Sequence, residues 1–282
     1  MSPAELLEVA VEAAKASGAV LHQKLSEHRT ISFKDRDQMD LVTDADKAAE
    51  AAILKVLHAR VPDHGILAEE SGASHLEKSH VWFVDPLDGT VNYAHRIPHY
   101  CTTLAVEERS THQLLAGVVF DPVRNELFTA SKGNGAYLNG VRIHCSETKA
   151  MNKALLSTGF PTDVHLNPDV PLGLFNTIVQ KVRGVRRMGS AALDLAYVAS
   201  GRLDGYFEVG LKPWDVAAGG ILIEEAGGRM RRIDGGPFDE RPYNARIGDI
   251  MGAAPGVFDA VTEECAKFLR TLGWKPTELQ GL

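Results

Sequence analysis

Cysteine is scarce in this sequence, with three residues in a chain of 282. Cys101, Cys145 and Cys265 are widely spaced, odd in number and outside any CxxC motif. A disulfide framework or a zinc site requires paired or clustered cysteines, so this scarcity argues against both. It also predicts that the protein works in a reducing compartment, the cytoplasm.

Long apolar runs and an excess of positive charge are lacking as well. The sequence has no run of about 18 apolar residues, and its first 25 residues have the pattern of an acidic helix rather than of a secretory signal. We therefore expect neither secretion nor a membrane span. The 30 Lys and Arg against 37 Asp and Glu leave a formal net charge of −7, which disfavours nucleic acid as the main ligand.

Two widespread functional motifs are also missing. No GxGxxG pattern follows an apolar run, which argues against a dinucleotide-binding fold. The 11 histidines include no HExxH pattern, so zinc chemistry based on histidine is not expected.

The chain has the composition of a globular protein, 44% hydrophobic and 24% charged. Its N-terminal part is helical in pattern. Ser2 and Glu5 form a capping box that predicts a helix to about residue 25. A second helix is expected to start at Thr43 or Asp44 and to end before Pro62.

The pattern changes to β-prone runs after residue 65. Short apolar runs between residues 65 and 138, separated by Gly, Pro and Asn turns, predict an antiparallel meander. Strands and helices alternate after residue 146, which indicates an α/β layer. We predict an α+β protein of layered helices and sheets, with an N-terminal half over 1–146 and a C-terminal half over 147–282.

The segment DPLDG, residues 85–89, follows the apolar run 81–84. A buried strand that ends in two carboxylates three residues apart projects Asp85, Asp88 and several backbone amides into one space. Hard divalent cations prefer such an oxygen-rich geometry. A solvated Asp/Gly turn is the alternative, and for this motif alone both interpretations stay open.

Two further acidic positions stand at the ends of predicted elements. Glu69 and Glu70 follow the short apolar run 66–67, and Asp215 stands at the start of a helix of small residues. Taken alone, the glutamates are typical of a solvated pair, and Asp215 of a helix N-terminal acid favoured by the macrodipole. Three acidic ends in one chain favour a shared metal site.

Four segments carry a family resemblance: DLVTDAD at 40–46, EES at 69–71, WFVDPLDGTVN at 82–92 and WDVAAG at 214–219. In order, spacing and signature motifs they resemble the inositol monophosphatase family of Mg²⁺-dependent, Li⁺-sensitive phosphatases. The similarity runs from the first helix to about residue 255. It implies the layered αβαβα sugar-phosphatase fold, with an antiparallel N-terminal sheet and a smaller α/β C-terminal half.

The resemblance implies two or three bound Mg²⁺ ions as cofactors. One would be held by Glu69, Asp85 and the backbone carbonyl of Leu87. A second would be held by Asp85, Asp88 and Asp215, and a third would lie near Glu69. In this way an acidic protein can bind an anionic substrate, because the ions reverse the local charge.

The resemblance also implies roles around the phosphate. Thr90, oriented by Asp46, would help the attacking water to lose its proton, and Glu69 belongs to the same catalytic set. The backbone amides of Gly89 and Thr90 would contact phosphate oxygens.

The implied contacts to the alcohol part of the substrate are Asp88, Gly189, Ser190, Ala191, Glu208 and Asp215. Arg186 is a candidate contact for a carboxylate or a second phosphate, with a surface or interface charge as the open alternative. The nearby basic run 181–187 could touch RNA or a partner, although short charge runs are usually solvated. Lys34 matches the family's site lysine, one residue farther from Asp40 than in the animal enzymes.

The resemblance finally implies a function. The expected reaction is hydrolysis of a small phosphorylated polyol, foremost myo-inositol 1-phosphate, by metal-activated water in a homodimeric, Li⁺-sensitive enzyme. Similar proteins hydrolyse fructose 1,6-bisphosphate, histidinol phosphate or adenosine 3′,5′-bisphosphate, and these activities stay open. Some bacterial relatives also act as partners of the transcription and ribosomal-RNA machinery, so a non-catalytic partner role is the alternative from another class.

Overall fold

The computed structural model describes residues 1–25, 31–33, 41–235 and 248–276. The helices in this part are α1 (Pro3–Leu25), α2 (Asp44–Arg60), α3 (Thr90–Ala94), α4 (Asp169–Val179), α5 (Ala191–Ala199), α6 (Pro213–Glu225) and α7 (Pro255–Thr271), with a short 3-10 helix at Met151–Lys153. None of these helices is both long and apolar enough to cross a membrane.

The same residues form fifteen strands. They are β1 (Ile31–Phe33), β2 (Leu41–Thr43), β3 (Gly65–Ala68), β4 (Gly72–Ser74), β5 (His80–Asp88), β6 (Cys101–Glu108), β7 (Gln113–Asp121), β8 (Glu126–Ser131), β9 (Gly135–Leu138), β10 (Val141–Ile143), β11 (Leu155–Thr158), β12 (Gly184–Arg186), β13 (Gly205–Glu208), β14 (Arg229–Arg232) and β15 (Ile250–Ala253).

These strands form a two-stranded, an eight-stranded and a five-stranded sheet. β1 pairs with β2, and the eight-stranded sheet has the order β10-β9-β8-β7-β6-β5-β3-β4. The five-stranded sheet has the order β12-β11-β13-β15-β14, in which β11 runs parallel to both of its neighbours and β15 antiparallel to both of its own. The boundary predicted between residues 146 and 147 falls between β10 and the 3-10 helix, and the division into two halves stays a prediction.

Both faces of the eight-stranded sheet are buried, as β5 shows. Trp82 and Val84 pack with α1 and α2 on one face, and Val81 and Phe83 pack with α5 and α6 on the other. Successive side chains of a strand point to opposite faces, so a strand between two helical layers is apolar at every position. This packing explains the continuous apolar run that precedes Asp85.

The five-stranded sheet lies on the other side of α5 and α6. Tyr206 of β13 packs toward those helices, and Phe207 packs toward α4 and α7. The layers therefore alternate as helices, sheet, helices, sheet, helices. This order confirms the predicted αβαβα fold class.

The two predicted N-terminal helices are confirmed, and the first has its predicted capping box. The Ser2 amide donates to Glu5 Oε2 at 2.7 Å and the Glu5 amide to Ser2 Oγ at 3.3 Å. Thr43 caps α2, and its backbone N–H donates to Asp46 Oδ2 at 2.9 Å. Local signals were sufficient here because a capping box satisfies backbone donors within one turn.

The predicted antiparallel meander is wrong at one pair of strands. β3 and β5 run parallel, because β4 folds back on the outer edge of β3 and the chain then returns to start β5 beside it. Parallel strands end at the same sheet edge, so Glu69, directly after β3, lies beside Asp85, and its amide donates to Val84 O at 3.0 Å. The sequence pattern predicted neither α7 nor five strands of only three or four residues: β4, β10, β12, β14 and β15.

Candidate active site

A cleft of about 260 Å³ lies where the ends of β3 and β5 meet the N-termini of α5 and α6. The residues from the sequence analysis that line it are Glu69, Asp88, Gly89, Thr90, Gly189, Ser190, Ala191, Glu208 and Asp215. Asp46, Asp85 and Leu87 are buried and connect to this wall through hydrogen bonds or electrostatic contacts. The structure does not bring Arg186 into the described lining: it is exposed and donates to Val185 O at 3.3 Å.

The end of β5 shapes the first part of the site. Its ladder with β6 changes register between Asp85 and Asp88, and the Leu87 amide donates to Asp85 Oδ1 at 2.9 Å. Gly89 follows with a φ of +94°, and a Cβ at this position would stand 3.0 Å from His99 O. The turn therefore requires glycine, and it starts α3 directly behind the two aspartates.

Asp88 is anchored to the N-terminus of α5. Its Oδ2 accepts hydrogen bonds from Ser190 Oγ at 2.6 Å and from the Ala192 amide at 2.7 Å. Burial raises the pKa of Asp88 to about 6, although these two donors act in the opposite direction. Asp88 thus joins the end of β5 to the helix that carries Ser190 and Ala191.

Asp215 stands in the first turn of α6, where its Oδ2 accepts from the Lys212 amide at 2.7 Å. Burial raises its pKa well above the usual range, and Asp88 and Glu69 raise it further. The pKa of Asp85 is raised by burial, then by Glu69, Asp88 and Asp215. The four carboxylates therefore share one electrostatic environment, although they come from three distant parts of the chain.

Thr90 and Asp46 form a contact next to this cluster. The Thr90 hydroxyl lies 2.9 Å from Leu87 O and 3.2 Å from Asp46 Oδ1, and its single proton can serve one acceptor at a time. The other carboxylate oxygen of Asp46 accepts from Thr43 Oγ1 at 2.6 Å. Burial raises the pKa of Asp46 to about 6.

The donors around the carboxylate cluster suit a hard divalent cation by their chemistry, since Mg²⁺ prefers carboxylate and carbonyl oxygens. Holding the buried Asp85 together with the half-buried Glu69, Asp88 and Asp215 is also costly without a neutralising charge. In the part of the chain that the structure describes, no three Asp, Glu, His or Cys side chains are gathered as a finished metal cage. Asp85, Asp88 and Asp215 each direct an oxygen to protein hydrogen-bond donors in this arrangement.

The opposite wall of the cleft presents hydrogen-bond acceptors and donors. Glu208 lies against Gly159, whose lack of a side chain leaves room for the carboxylate, and accepts a hydrogen bond from Tyr206 Oη. Burial raises the pKa of Glu208 to about 7. Carboxylates at such a position can accept hydrogen bonds from neighbouring hydroxyl groups.

Several residues of the cleft received no role in the sequence analysis. Asn92 connects two loops, since its Nδ2 donates to His99 O and to Met188 O, both at 2.8 Å. Asp194 lines the cleft one turn after Ala191 on α5. Asn92 could have been found from its place at the end of the segment 82–92. Asp194 could have been found from its position three residues after Ala191 on a predicted helix, since residues at this spacing share one helix face. Lys34 and Asp40 lie outside the described residues.

The inositol monophosphatase family matches residues 2–263 of the chain. The chain belongs to this family. Its membership supports a phosphatase that binds metal, in agreement with the carboxylate cluster described above. The family assignment made from the four sequence segments is thereby confirmed.

Individual relatives agree with this assignment. The Nus factor SuhB of Pasteurella multocida is 41% identical over 253 residues, covering 89% of this chain and 92% of the relative. The Nus factor SuhB of Escherichia coli K12 is 41% identical over 258 residues, covering 91% and 94%. Among solved structures, an inositol monophosphatase from Anabaena is 38% identical with a TM-score of 0.82, covering 95% of this chain and 98% of the other.

Proposed function

We propose that this protein hydrolyses a small phosphate monoester in a Mg²⁺-dependent reaction, with myo-inositol 1-phosphate as its substrate. The observation that supports this proposal most strongly is the convergence of Glu69, Asp85, Asp88 and Asp215 beside the backbone amides of the Gly89 turn. A dianionic ester needs its charge neutralised and a water activated before its phosphorus can be attacked.

The carboxylates would hold two or three ions. Glu69, Asp85 and the Leu87 carbonyl would hold one, Asp85, Asp88 and Asp215 a second, and Glu69 would lie near a third. Bound Mg²⁺ supplies Lewis acidity, which neutralises phosphate oxygens and lowers the pKa of the attacking water. Homodimer formation and sensitivity to Li⁺ belong to this proposal as further predictions.

The chain's own groups would move the proton and orient the ester. Thr90 would accept a hydrogen bond from the attacking water while it donates to Asp46, whose raised pKa suits proton exchange near neutral pH. The amides of Gly89 and Thr90 would donate to phosphate oxygens. Glu208 and Ser190 would contact hydroxyls of the alcohol, and together these contacts fix the ester for in-line attack.

A phosphate-release screen tests this proposal. The substrates are myo-inositol 1-phosphate, fructose 1,6-bisphosphate, histidinol phosphate and adenosine 3′,5′-bisphosphate, each with and without Mg²⁺. We expect the highest kcat/KM for the inositol ester and no turnover in EDTA. Turnover that persists without a divalent cation, or a preference for another ester, would overturn the respective part of the proposal.

A second candidate function rests on the relatives named Nus factor SuhB. That naming favours a role as a partner of the transcription machinery that does not require turnover. The test is capture of RNA polymerase by the wild-type protein and by the Asp88→Asn variant. Equal capture by both supports the partner role, and no capture by either removes it.

A further inference from the structure

Helix α2 buries two carboxylates one turn apart, at a spacing that places them on one helix face. Asp46 is 1% exposed and Glu50 is 4% exposed. The other buried residues of this helix are apolar: Ala45, Ala49, Ile53 and Leu57. A carboxylate on such a face costs free energy unless it accepts hydrogen bonds. Asp46 accepts them from the hydroxyls of Thr43 and Thr90, whereas Glu50 serves another part of the chain.

Glu50 bonds the loop that follows β3. Its Oε2 accepts a hydrogen bond from the Glu70 amide at 2.9 Å. Residues 69–71 form the short loop between β3 and β4. Burial raises the pKa of Asp46, and Glu69 and Glu70 raise it further, so this loop lies close to the acidic face of α2. Glu50 therefore gives a loop amide an acceptor that comes from a helix 20 residues earlier in the chain.

Two hydrogen bonds hold the backbone on either side of Glu69. Its own amide donates to Val84 O at 3.0 Å, and the next amide, that of Glu70, donates to Glu50. Peptide groups are planar, so only φ and ψ of Glu69 connect these two amides. Since both amides are held, the direction in which the Glu69 side chain projects is set. Burial, followed by Glu69, raises the pKa of Asp85, so the side chain held in this way lies next to that carboxylate.

We propose that Glu50 is a positioning residue for the cation site, which holds the Glu70 amide and thereby directs Glu69 toward the bound divalent cation. This inference rests on the proposed phosphatase function and its cation ligands. Glu50 is outside the described lining of the cleft, so it acts through Glu69. Groups that orient a metal ligand without touching the ion typically change metal affinity by about 10- to 100-fold.

Two neutral variants separate the hydrogen bond of Glu50 from its negative charge. Glu50→Gln keeps an oxygen that can accept from the Glu70 amide, whereas Glu50→Met has a similar length and only a weak acceptor. Gln and Met are both good helix formers, and an apolar side chain suits the surrounding face of α2. We therefore expect both variants to fold, which circular dichroism melting checks.

The experiment measures the binding of Mg²⁺ alone by isothermal titration calorimetry at pH 7. We expect Glu50→Met to weaken Mg²⁺ binding at least about tenfold, because Glu69 loses its fixed direction. Glu50→Gln should stay within about threefold of the wild type, since a neutral hydrogen bond replaces a charge-assisted one. In the phosphate-release assay, Glu50→Met should raise the Mg²⁺ concentration that gives half of the maximal rate more than it lowers kcat.

Asp204→Ala is the matched control for the loss of a buried carboxylate. Asp204 also accepts a hydrogen bond from a backbone amide, that of Leu155, and lies outside the described lining of the cleft. Its replacement should lower the Tm and leave Mg²⁺ affinity unchanged. If Asp204→Ala weakens Mg²⁺ binding as much as Glu50→Met does, loss of stability is the cause and the positioning role is wrong.

Two further results would overturn the positioning role of Glu50. One is unchanged Mg²⁺ binding in Glu50→Met, and the other is an equal loss in Glu50→Gln, which would assign the effect to the charge. If Mg²⁺ binds but no phosphate ester is hydrolysed, the proposed reaction fails, and the difference between the two variants still decides what Glu50 does. If the wild type binds no Mg²⁺, the cation site and the role of Glu50 fail together.

Discussion

At the scale of single residues, Asp88 combines an anchoring role with a charge. Its Oδ2 holds the start of α5 through Ser190 and Ala192, and both donors would be served equally well by an amide oxygen. What an amide cannot supply is the negative charge that a divalent cation needs. Asparagine at this position therefore separates the structural role from the metal-binding role.

We expect Asp88→Asn to reduce Mg²⁺-dependent phosphate release more than about 100-fold, while its thermal unfolding stays as cooperative as that of the wild type. Asp215→Asn should behave in the same way. The measurements are initial rates over a Mg²⁺ titration and circular dichroism melting.

Asp204→Asn is the matched control for that prediction. Asp204 is a buried carboxylate outside the cleft, which accepts hydrogen bonds from Ser146 Oγ and the Leu155 amide. Its replacement should lower stability and leave turnover per folded molecule near the wild-type value. Near-normal activity of Asp88→Asn would contradict the metal-binding role.

At the scale of elements, the connection between β12 and α5 positions several residues that line the cleft. Gly189 in this connection stands against both Arg187 and Asn92, and a Cβ there would lie 3.0 Å from Asn92 Nδ2. Asn92 in turn bonds the carbonyl of Met188. A single left-handed glycine therefore places Ser190, Arg187 and α3 relative to one another.

Gly189→Ala tests this connection. We expect a loss of about 1–2 kcal/mol in the free energy of unfolding from the left-handed backbone, plus a fall in kcat/KM as the contacts to Arg187 and Asn92 are pushed apart. The measurements are urea denaturation and initial rates.

Gly133→Ala is the control for the cost of placing alanine in a left-handed backbone conformation. Gly133 has a φ of +78° and no atom within 4 Å of a built Cβ. It should show a comparable loss of stability with unchanged kinetics. If Gly189→Ala is kinetically indistinguishable from Gly133→Ala, the connection does not position the site.

At the scale of the whole molecule, part of the net charge of −7 is concentrated in the largely half-buried cluster of Glu69, Asp85, Asp88 and Asp215. Burial raises the pKa of Asp88 to about 6 from an ordinary value of 3.8. Between these two values the unfolded chain loses the proton while the folded chain keeps it. The contribution of Asp88 to the free energy of unfolding therefore falls as the pH rises through this interval.

This pH dependence is tested by measuring the free energy of unfolding of the wild type and of Asp88→Asn in the absence of metal. Asparagine does not titrate, so the stability advantage of the variant should grow from pH 4 to pH 7. Mg²⁺ added at pH 7 should raise the Tm of the wild type by several degrees and that of the variant less, since binding to the folded state stabilises it. If the free energies of unfolding of the two proteins change in parallel with pH, and Mg²⁺ raises both Tm values equally, the carboxylate cluster is not a cation-binding site.

The sequence by itself determined the N-terminal helices, the family and the layered fold class. Capping at Ser2 and Thr43 acts within one helical turn, and the acidic motifs occupy short contiguous segments, so no distant contact is needed to read them. The turn at Gly89 could be foreseen for the same reason.

Only the tertiary structure decided how these pieces meet. The parallel pairing of β3 with β5 brings Glu69 beside Asp85, and the α5 N-terminus bonds Asp88 from more than 100 residues away along the chain. Likewise, Arg187 rather than Arg186 enters the cleft, because Gly189 leaves room for its guanidinium. Strand order and the side-chain space around a loop depend on packing between distant segments, and local sequence patterns do not encode that packing.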